Sequence, residues 1–419
     1  MPGIYISYPF CAQKCTYCNF ASGVFPRELE SRYRAALLRE IAARYPPLTA
    51  SPARGDRFES APPLDREQGP AVSGSPLTAS PARGDRAWVS DPLDREQGPA
   101  ISGWKWTPDT VYLGGGTPSS MAPDALREIL ASLPGRPWTE CTIEAAPGTV
   151  TAAKAEAWRD AGVNRVSLGV QSFVERELKQ TGRKHRAGTV AADVETLRTA
   201  GIANLNIDLI AGLPFQTEAS WRQSLEWIVR LDPPHVSIYM LEVDPDSRLG
   251  LEIIGEGSRY GAKEAPSEDL TATLYETAVE FLEGHGTRRY EISNFAKPGF
   301  ESRHNLKYWR LEPYVGFGSD AHSFDGLDRW QNVETVEEYC STGDPRRETT
   351  ESHPREEKFF VGLRLLDGVT PDDRDWTEHG PAIRRFLENG LLEQSGPAIR
   401  LTNRGVLLSN EVFQEFLHA

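Results

Sequence analysis

Six short strand-like runs alternate with helix-patterned segments along this chain, and that alternation restricts its fold more than any other feature. The runs are Gly3–Tyr8 (GIYISY), Thr110–Leu113 (TVYL), Cys141–Glu144 (CTIE), Arg165–Val170 (RVSLGV), Asn204–Ile210 (NLNIDLI) and His235–Leu241 (HVSIYML). The first intervening segment, RELESRYRAALLREIAARY, sets Leu29, Tyr33, Leu37 and Ile41 four apart on one helical face. PDALREILASL, AAKAEAWRDAG, a segment beginning near Gly188 and EASWRQSLEWIVRL follow, with Pro123, Gly162 and Gly201 as start and stop signals. β–α units in series require a parallel sheet with right-handed crossovers. Eight would close a barrel. Six predict an α/β fold with an open, partial (β/α)6 TIM-like barrel over residues 1–250, its ligands at the C-terminal strand ends. Residues 251–350 form a region of different pattern. Residues 351–419 read helix, helix, hairpin (GLLEQSGPAIRLT), helix, an α+β end expected to be a winged-helix-like module.

One stretch interrupts the alternation. Residues 48–74 and 77–103 are near-copies, LTASPARGDR and then PLDREQGPAVSG or PLDREQGPAISG. Two copies are too few to bury a solenoid core, and the stretch is rich in Pro, Gly, Ser and charge. It is expected to be a disordered insertion within the barrel.

A net charge of −14 disfavours nucleic acid as a partner, because such domains present a basic face to phosphates. The opening MPGIYISYPFC lacks a basic and then apolar leader, and no run approaches the about 18 apolar residues of a membrane span, so a cytoplasmic protein is expected. In that compartment clustered cysteines are read first as metal or redox groups. Three of the five cysteines lie together, at Cys11, Cys15 and Cys18.

Cys11-Ala-Gln-Lys-Cys15-Thr-Tyr-Cys18 falls in the loop after the first strand. Three thiolates at this spacing can each bind one iron of a [4Fe–4S] cluster, leaving the fourth iron open. A zinc knob is the other reading, although no fourth Cys or His stands nearby to close a tetrahedron. After the second strand comes Gly114-Gly115-Gly116-Thr117-Pro118-Ser119, where bare backbone can approach a ligand. Glu144, Gln171 and Asp208 are polar residues at or in strands that should be apolar, so each needs a partner.

The C-x3-C-x2-C run with Tyr17 before its last cysteine resembles the radical S-adenosylmethionine (SAM) signature. The resemblance sharpens along the chain. YxxxPFCxxKCxYCxF, which opens at Tyr5, then GGGTPS, EAAPGTV, GVQSF, GRKH and NIDLIAGLP stand in the order of the coproporphyrinogen III oxidase-like radical SAM family. YEISNFA at Tyr290–Ala296 and the run His304-Asn305-Leu306-Lys307-Tyr308-Trp309 are similar to its HemW branch of haem chaperones. The likeness extends over nearly the whole chain outside residues 47–104.

The resemblance implies three cofactors: a [4Fe–4S] cluster on Cys11, Cys15 and Cys18, SAM on its open iron, and haem. It implies SAM contacts at Tyr5, Tyr17, Gly115, Gly116, Thr117, Glu144, Gln171, Arg183 and Asp208, with Tyr17 near the adenine and Arg183 paired with the carboxylate. His304 is the expected haem ligand or contact, with Asn305, Tyr308 and Trp309 beside it, although a histidine among aromatics is also a common core residue. His322 is a second expected ligand, and Cys141 and Cys340 are expected to be inert packed thiols. Two departures separate the chain from the oxygen-independent coproporphyrinogen dehydrogenase. Phe20 replaces a further cysteine, and only ten residues precede Cys11. Ser7 stands where either branch usually has histidine. The expected function is therefore haem binding and delivery to respiratory haem proteins. Coproporphyrinogen III oxidation and an unrelated radical reaction are the competing classes. Productive SAM cleavage would also require a reductase, flavodoxin or ferredoxin as electron donor.

Overall fold

The structure, a computed structural model, describes residues 1–19, 21–44 and 107–417. The duplicated segment, for which disorder is expected, lies outside the described residues, as does Phe20. Each expected strand is present: β1 (Gly3–Tyr8), β2 (Thr110–Gly115), β3 (Glu140–Ala145), β4 (Arg165–Gln171), β5 (Asn204–Ala211) and β6 (His235–Met240). They pair in chain order and all in parallel, the arrangement that serial β–α units require.

The helices between them are α1 (Arg27–Arg44), α2 (Pro123–Ala131), α3 (Ala152–Ala161), α4 (Glu175–Gln180), α5 (Ala187–Thr199) and α6 (Glu218–Leu231). Leu29, Tyr33, Leu37 and Ile41 form the buried stripe of α1. Pro123 opens α2 at a position where a missing N–H costs nothing. Thr151 caps α3 by accepting from Lys154 N, and Gly162 ends it at φ +103°, a left-handed turn natural to glycine.

Beyond β6 the chain continues through α7 (Arg248–Ile254), α8 (Glu268–Gly284), β7 (Arg288–Arg289), β8 (Asn294–Ala296), α9 (Arg303–Trp309) and β9 (Tyr314–Phe317). β10 (His322–Phe324), β11 (Asp328–Asn332), α10 (Val336–Ser341) and β12 (Arg346–Glu351) follow. These strands enlarge the expected six-stranded sheet. Among the described residues it has twelve strands, in the order β12-β11-β10-β9-β1-β2-β3-β4-β5-β6-β8-β7. β8 joins β6 antiparallel, whereas β9 joins β1 in parallel at the opposite edge. Residues 251–350 therefore extend the barrel sheet on both sides. The added strands have two to six residues and no regular alternation, so the sequence carried little sign of them.

The last segment runs α11 (Pro354–Gly362), α12 (Asp373–Glu388), the hairpin β13 (Leu392–Ser395) and β14 (Ala398–Leu401), then α13 (Asn403–Leu407) and α14 (Ser409–Gln414). The order helix, helix, hairpin, helix is as expected, with one more short helix at the end.

Strand alternation decides which side chains face the barrel interior. Ser167 of β4, Asn206 and Asp208 of β5 and Ser237 of β6 meet there through hydrogen bonds. Tyr5, Tyr112, Glu144 and Asp208 are half-buried.

Candidate functional site

The loop after β1 carries all three clustered cysteines, half-buried and free. Its backbone is pinned on three sides. Cys11 N donates to Gly23 O (2.8 Å), Thr16 N to Thr181 O (3.3 Å) and Leu249 N to Thr16 O (2.9 Å). Thr117 Oγ1 donates to Cys11 Sγ (3.6 Å), and Cys18 Sγ lies 3.9 Å from Ser22 Oγ. Burial raises the Cys11 thiol, hydrogen bonds from Thr117 and Ser22 oppose that rise, and Cys18 and Cys15 add to it. The three sulfurs thus share one electrostatic neighbourhood.

Among the described residues, no three His, Cys, Asp or Glu side chains converge on a single-ion site. Three free, half-buried thiols in one loop supply the donors a cubane needs, one for each of three irons. The donor set fits that cluster.

The glycine run lies directly against this loop. Gly116 N donates to Tyr8 O (2.8 Å), and Thr117 N donates to Phe10 O (2.9 Å). A Cβ on Gly116 would stand 2.7 Å from both Pro9 C and Tyr8 O, so only glycine permits this approach. Gly115 has φ +101° and its N–H bonds Glu144. Ser119, fully buried, accepts from Ala146 N (3.1 Å) and Thr149 Oγ1 (2.8 Å), locking the GGGTPS turn to the EAAPGTV turn.

The expected SAM residues form a connected set along the C-terminal side of the barrel. Tyr112 OH donates to Glu144 Oε1 (2.9 Å), and the Tyr112 ring stacks on Tyr5 at 6.2 Å. Burial, with Asp208 alongside, pushes Glu144 up to about 7 despite the bonds from Tyr112 and Gly115. Asp208, also raised by burial, accepts from Asn206 Nδ2 (2.6 Å) and Ser167 Oγ (3.3 Å). Arg183 Nη1 donates to Gly169 O (2.5 Å), and its guanidinium hydrogen-bonds Tyr17 of the cysteine loop.

Gln171 holds φ +71° at the bulge where β4 slips against β5. A non-glycine residue there is strained, and such strain clusters at functional sites. Three buried polar atoms of this group find no partner: Gln171 Oε1, Arg183 Nε and His185 Nε2. Unsatisfied buried groups are costly unless a ligand completes them. Burial, and then Arg183, drives His185 down to about 4, so it is a neutral imidazole.

The expected haem segment lies at the other end of the strands. α9 crosses the N-terminal ends of β1, β2 and β3. Ser302 caps it by accepting from Asn305 N, while the Glu140 carboxylate accepts from Arg303 N (2.9 Å) and His304 N (3.1 Å). Lys307 Nζ pairs with Asp109 (2.9 Å) and donates to Met1 O (2.7 Å). His304 is 1% exposed. Its Nδ1 pairs with Thr110 Oγ1 (3.0 Å), its Nε2 with Tyr308 OH (2.8 Å), and its ring stacks on Tyr112 at 5.3 Å. Burial, with Lys307 and Arg165 adding to it, lowers His304 to about 3.

In this arrangement His304 has no nitrogen left for a haem iron, which is the hydrogen-bonded core state that the residues alone left open. Asn305 is half-buried, and the Arg364 guanidinium lies 4.4 Å over the Trp309 ring. His322 stands exposed at the start of β10. Cys141 is fully buried, its thiol raised by burial, and Cys340 is half-buried in α10.

Sequence reading quoted Ser119, Tyr290 and His185 within motifs, and Asn206 and His235 within strands, but gave none of them a role. For Asn206 and His235 a signal existed, because β5 and β6 carry polar residues at alternate positions (Asn204, Asn206, Asp208; His235, Ser237) where buried strands should be apolar.

A family model of the radical SAM superfamily matches residues 92–228, and one of the HemN C-terminal domain matches residues 350–408. The first leaves the cysteine loop outside its span, yet β1 pairs with β2 and brings that loop into register with the matched part. The heme chaperone HemW of Bacillus subtilis is 37% identical over 74% of this chain and 85% of its own length. This chain belongs to the HemW family.

The HemW-family protein of Escherichia coli is 31% identical over 74% of this chain and 84% of its own. The solved structure of the E. coli radical SAM enzyme coproporphyrinogen III oxidase (HemN) superposes with a TM-score of 0.71 at 19% identity, covering 99% of this chain and 90% of that one. That likeness establishes the shared fold. As a radical SAM protein of the HemW family, this chain has a [4Fe–4S] cluster and SAM as its cofactors.

Proposed function

We propose that this protein binds haem and hands it on, with the [4Fe–4S] cluster held by Cys11, Cys15 and Cys18 and SAM bound beside it. The observation that carries the reading is the 37% identity, over 85% of its length, to a relative described as a heme chaperone. In this reading residues 1–250 hold the two cofactors, residues 251–350 meet haem, and residues 351–419 close the C-terminal end. Tyr5, Tyr17, Gly115, Gly116, Thr117, Glu144, Gln171, Arg183 and Asp208 contact SAM. The partnerless Arg183 and Gln171 atoms support this, since a carboxylate and an amine or hydroxyl would complete them. The cluster, when reduced, can supply an electron to SAM. Electron delivery by a reductase, flavodoxin or ferredoxin is needed only if SAM is cleaved.

Haem meets the His304–Trp309 segment. For His304 to bind iron it must give up Thr110 or Tyr308, so haem ligation and the closed state of α9 exclude one another. Cytoplasmic residence and respiratory haem proteins as acceptors belong to the same proposal. Among the described residues, no helix is long and apolar enough to cross a membrane.

The test is an anaerobic haem titration of the cluster-reconstituted protein beside His304→Ala. Tight binding that is lost in the variant supports both haem binding and His304 as the ligand. Binding that persists in the variant removes His304 from that role. No binding in either protein, with SAM-dependent turnover of coproporphyrinogen III, overturns the chaperone reading.

A further inference from the structure

A file of buried polar groups joins the SAM side of the barrel to the helix at its other end. Asn206 Nδ2 donates to Asp208 Oδ1 (2.6 Å). Asn206 Oδ1 lies 2.6 Å from His235 Nδ1. An amide oxygen only accepts, so His235 carries its proton on Nδ1, and Nε2 of the neutral ring must accept. Its partner there is Tyr290 OH, at 3.0 Å. With its proton so committed, the same hydroxyl accepts from Ser302 N (3.2 Å), the residue that caps α9. Asn206 and His235 are 2% and 0% exposed, so water cannot replace these bonds. Every donor in the file points the same way, from the first residue of the α9 cap to the Asp208 carboxylate. Burial holds His235 well below its ordinary value, which keeps the ring neutral and the direction of the file unchanged.

We propose that Asn206, His235 and Tyr290 are positioning residues for Asp208, forming a one-way hydrogen-bond relay through which SAM binding and the seating of the His304–Trp309 helix depend on each other. The inference rests on the reading above that Asp208 contacts SAM. Its physical basis is a contiguous hydrogen-bonded chain whose middle members, Asn206 and His235, are buried, with Asn206 also held by Ser167 and Ser237. Coupling of this kind is reciprocal, so SAM should steady α9 and a loosened α9 should weaken SAM.

The experiment uses the full chain with its cluster reconstituted. SAM is titrated through the change it makes in the electron paramagnetic resonance signal of the reduced cluster. Tyr290→Phe deletes one hydroxyl in the middle of the relay, and SAM affinity is expected to fall about fivefold. Hydrogen exchange supplies the second readout: SAM should slow the α9 amides in the wild type and leave them unchanged in Tyr290→Phe. Tyr275→Phe is the control. It loses a buried hydroxyl that donates to Ile292 O outside the relay, so it should melt earlier with SAM affinity intact.

Unaltered SAM affinity in Tyr290→Phe overturns the relay, and so does an equal loss in Tyr275→Phe. If Tyr290→Phe fails to fold, Ser302→Ala loosens the same helix end and is judged by the same outcomes. Asp208→Asn separates the two ideas. If it leaves SAM affinity unchanged, the reading of Asp208 falls and the relay with it. If it weakens SAM while Tyr290→Phe does not, the relay alone is wrong.

Discussion

The two ends of the barrel are built on opposite principles. At the C-terminal rim Gln171 is strained, and Gln171, Arg183 and His185 each leave a polar atom without a partner. At the N-terminal floor the groups around His304 close on one another. Thr110 and Tyr308 satisfy its ring, Glu140 satisfies the first N–H groups of α9, and Asp109 pairs with Lys307. Unpartnered atoms occur at the floor too, at Arg165 Nε and Trp309 Nε1, so the difference lies in the closed shell of His304 and in the strained Gln171 backbone at the rim, a mark of a ligand site. The family motifs fall at both ends, so a motif can mark a keystone as readily as a binding residue.

The contrast can be tested from its largest expected effect downward. Replacing Cys15 by Ala should abolish the visible absorption of the reconstituted cluster, since no neighbouring Cys or His stands ready to replace it. Retention of a full-strength cluster would show that the rim is not its site. At the floor, His304→Ala removes a packed ring and strands the Thr110 and Tyr308 hydroxyls, so it should cost about 3 kcal/mol in denaturant unfolding. Cluster content should remain unchanged. A cluster lost together with that stability would blur the division between the two ends.

The third effect depends on pH. Glu144 rises from an ordinary 4.5 to about 7 on folding, so the native state holds its proton more tightly than the unfolded chain. Stability should therefore fall as pH climbs from 4.5 towards 7 and level off above it, a change of about 3 kcal/mol. Urea unfolding of Glu144→Gln should lack this slope, and an unchanged slope would assign it to another group. A cationic ligand beside Glu144 would favour the carboxylate, so SAM affinity should increase through the same window. The smallest effect concerns strain. Gln171→Gly should gain about 1 kcal/mol by accommodating the left-handed backbone, while SAM affinity drops. A variant that loses stability would deny that the rim stores strain.

Much of this molecule was legible before its structure. The six parallel strands could be read because each is a short apolar run bounded by turn residues, and α1 because Leu29, Tyr33, Leu37 and Ile41 recur at helical spacing. The cysteine loop and the glycine turn were legible for a different reason. Their chemistry depends on local spacing, and local spacing is what a sequence displays directly. β7 to β12 were not legible, because short strands at a sheet edge draw their stability from the neighbour they pair with and need no pattern of their own.

The division follows the range of the forces involved. Spacing along the chain was enough to specify a parallel β/α array, a three-thiolate loop at the end of β1 and a close backbone approach at Gly116. It could not tell that Tyr112 would lie between Glu144 and His304, or that Ser302 would reach Asp208 through three side chains. Those contacts join residues as much as 192 positions apart, as for Tyr112 and His304. Burial and hydrogen-bond direction act between such residues only after the barrel has closed around them, so the role of a histidine set among aromatics had to wait for the folded chain.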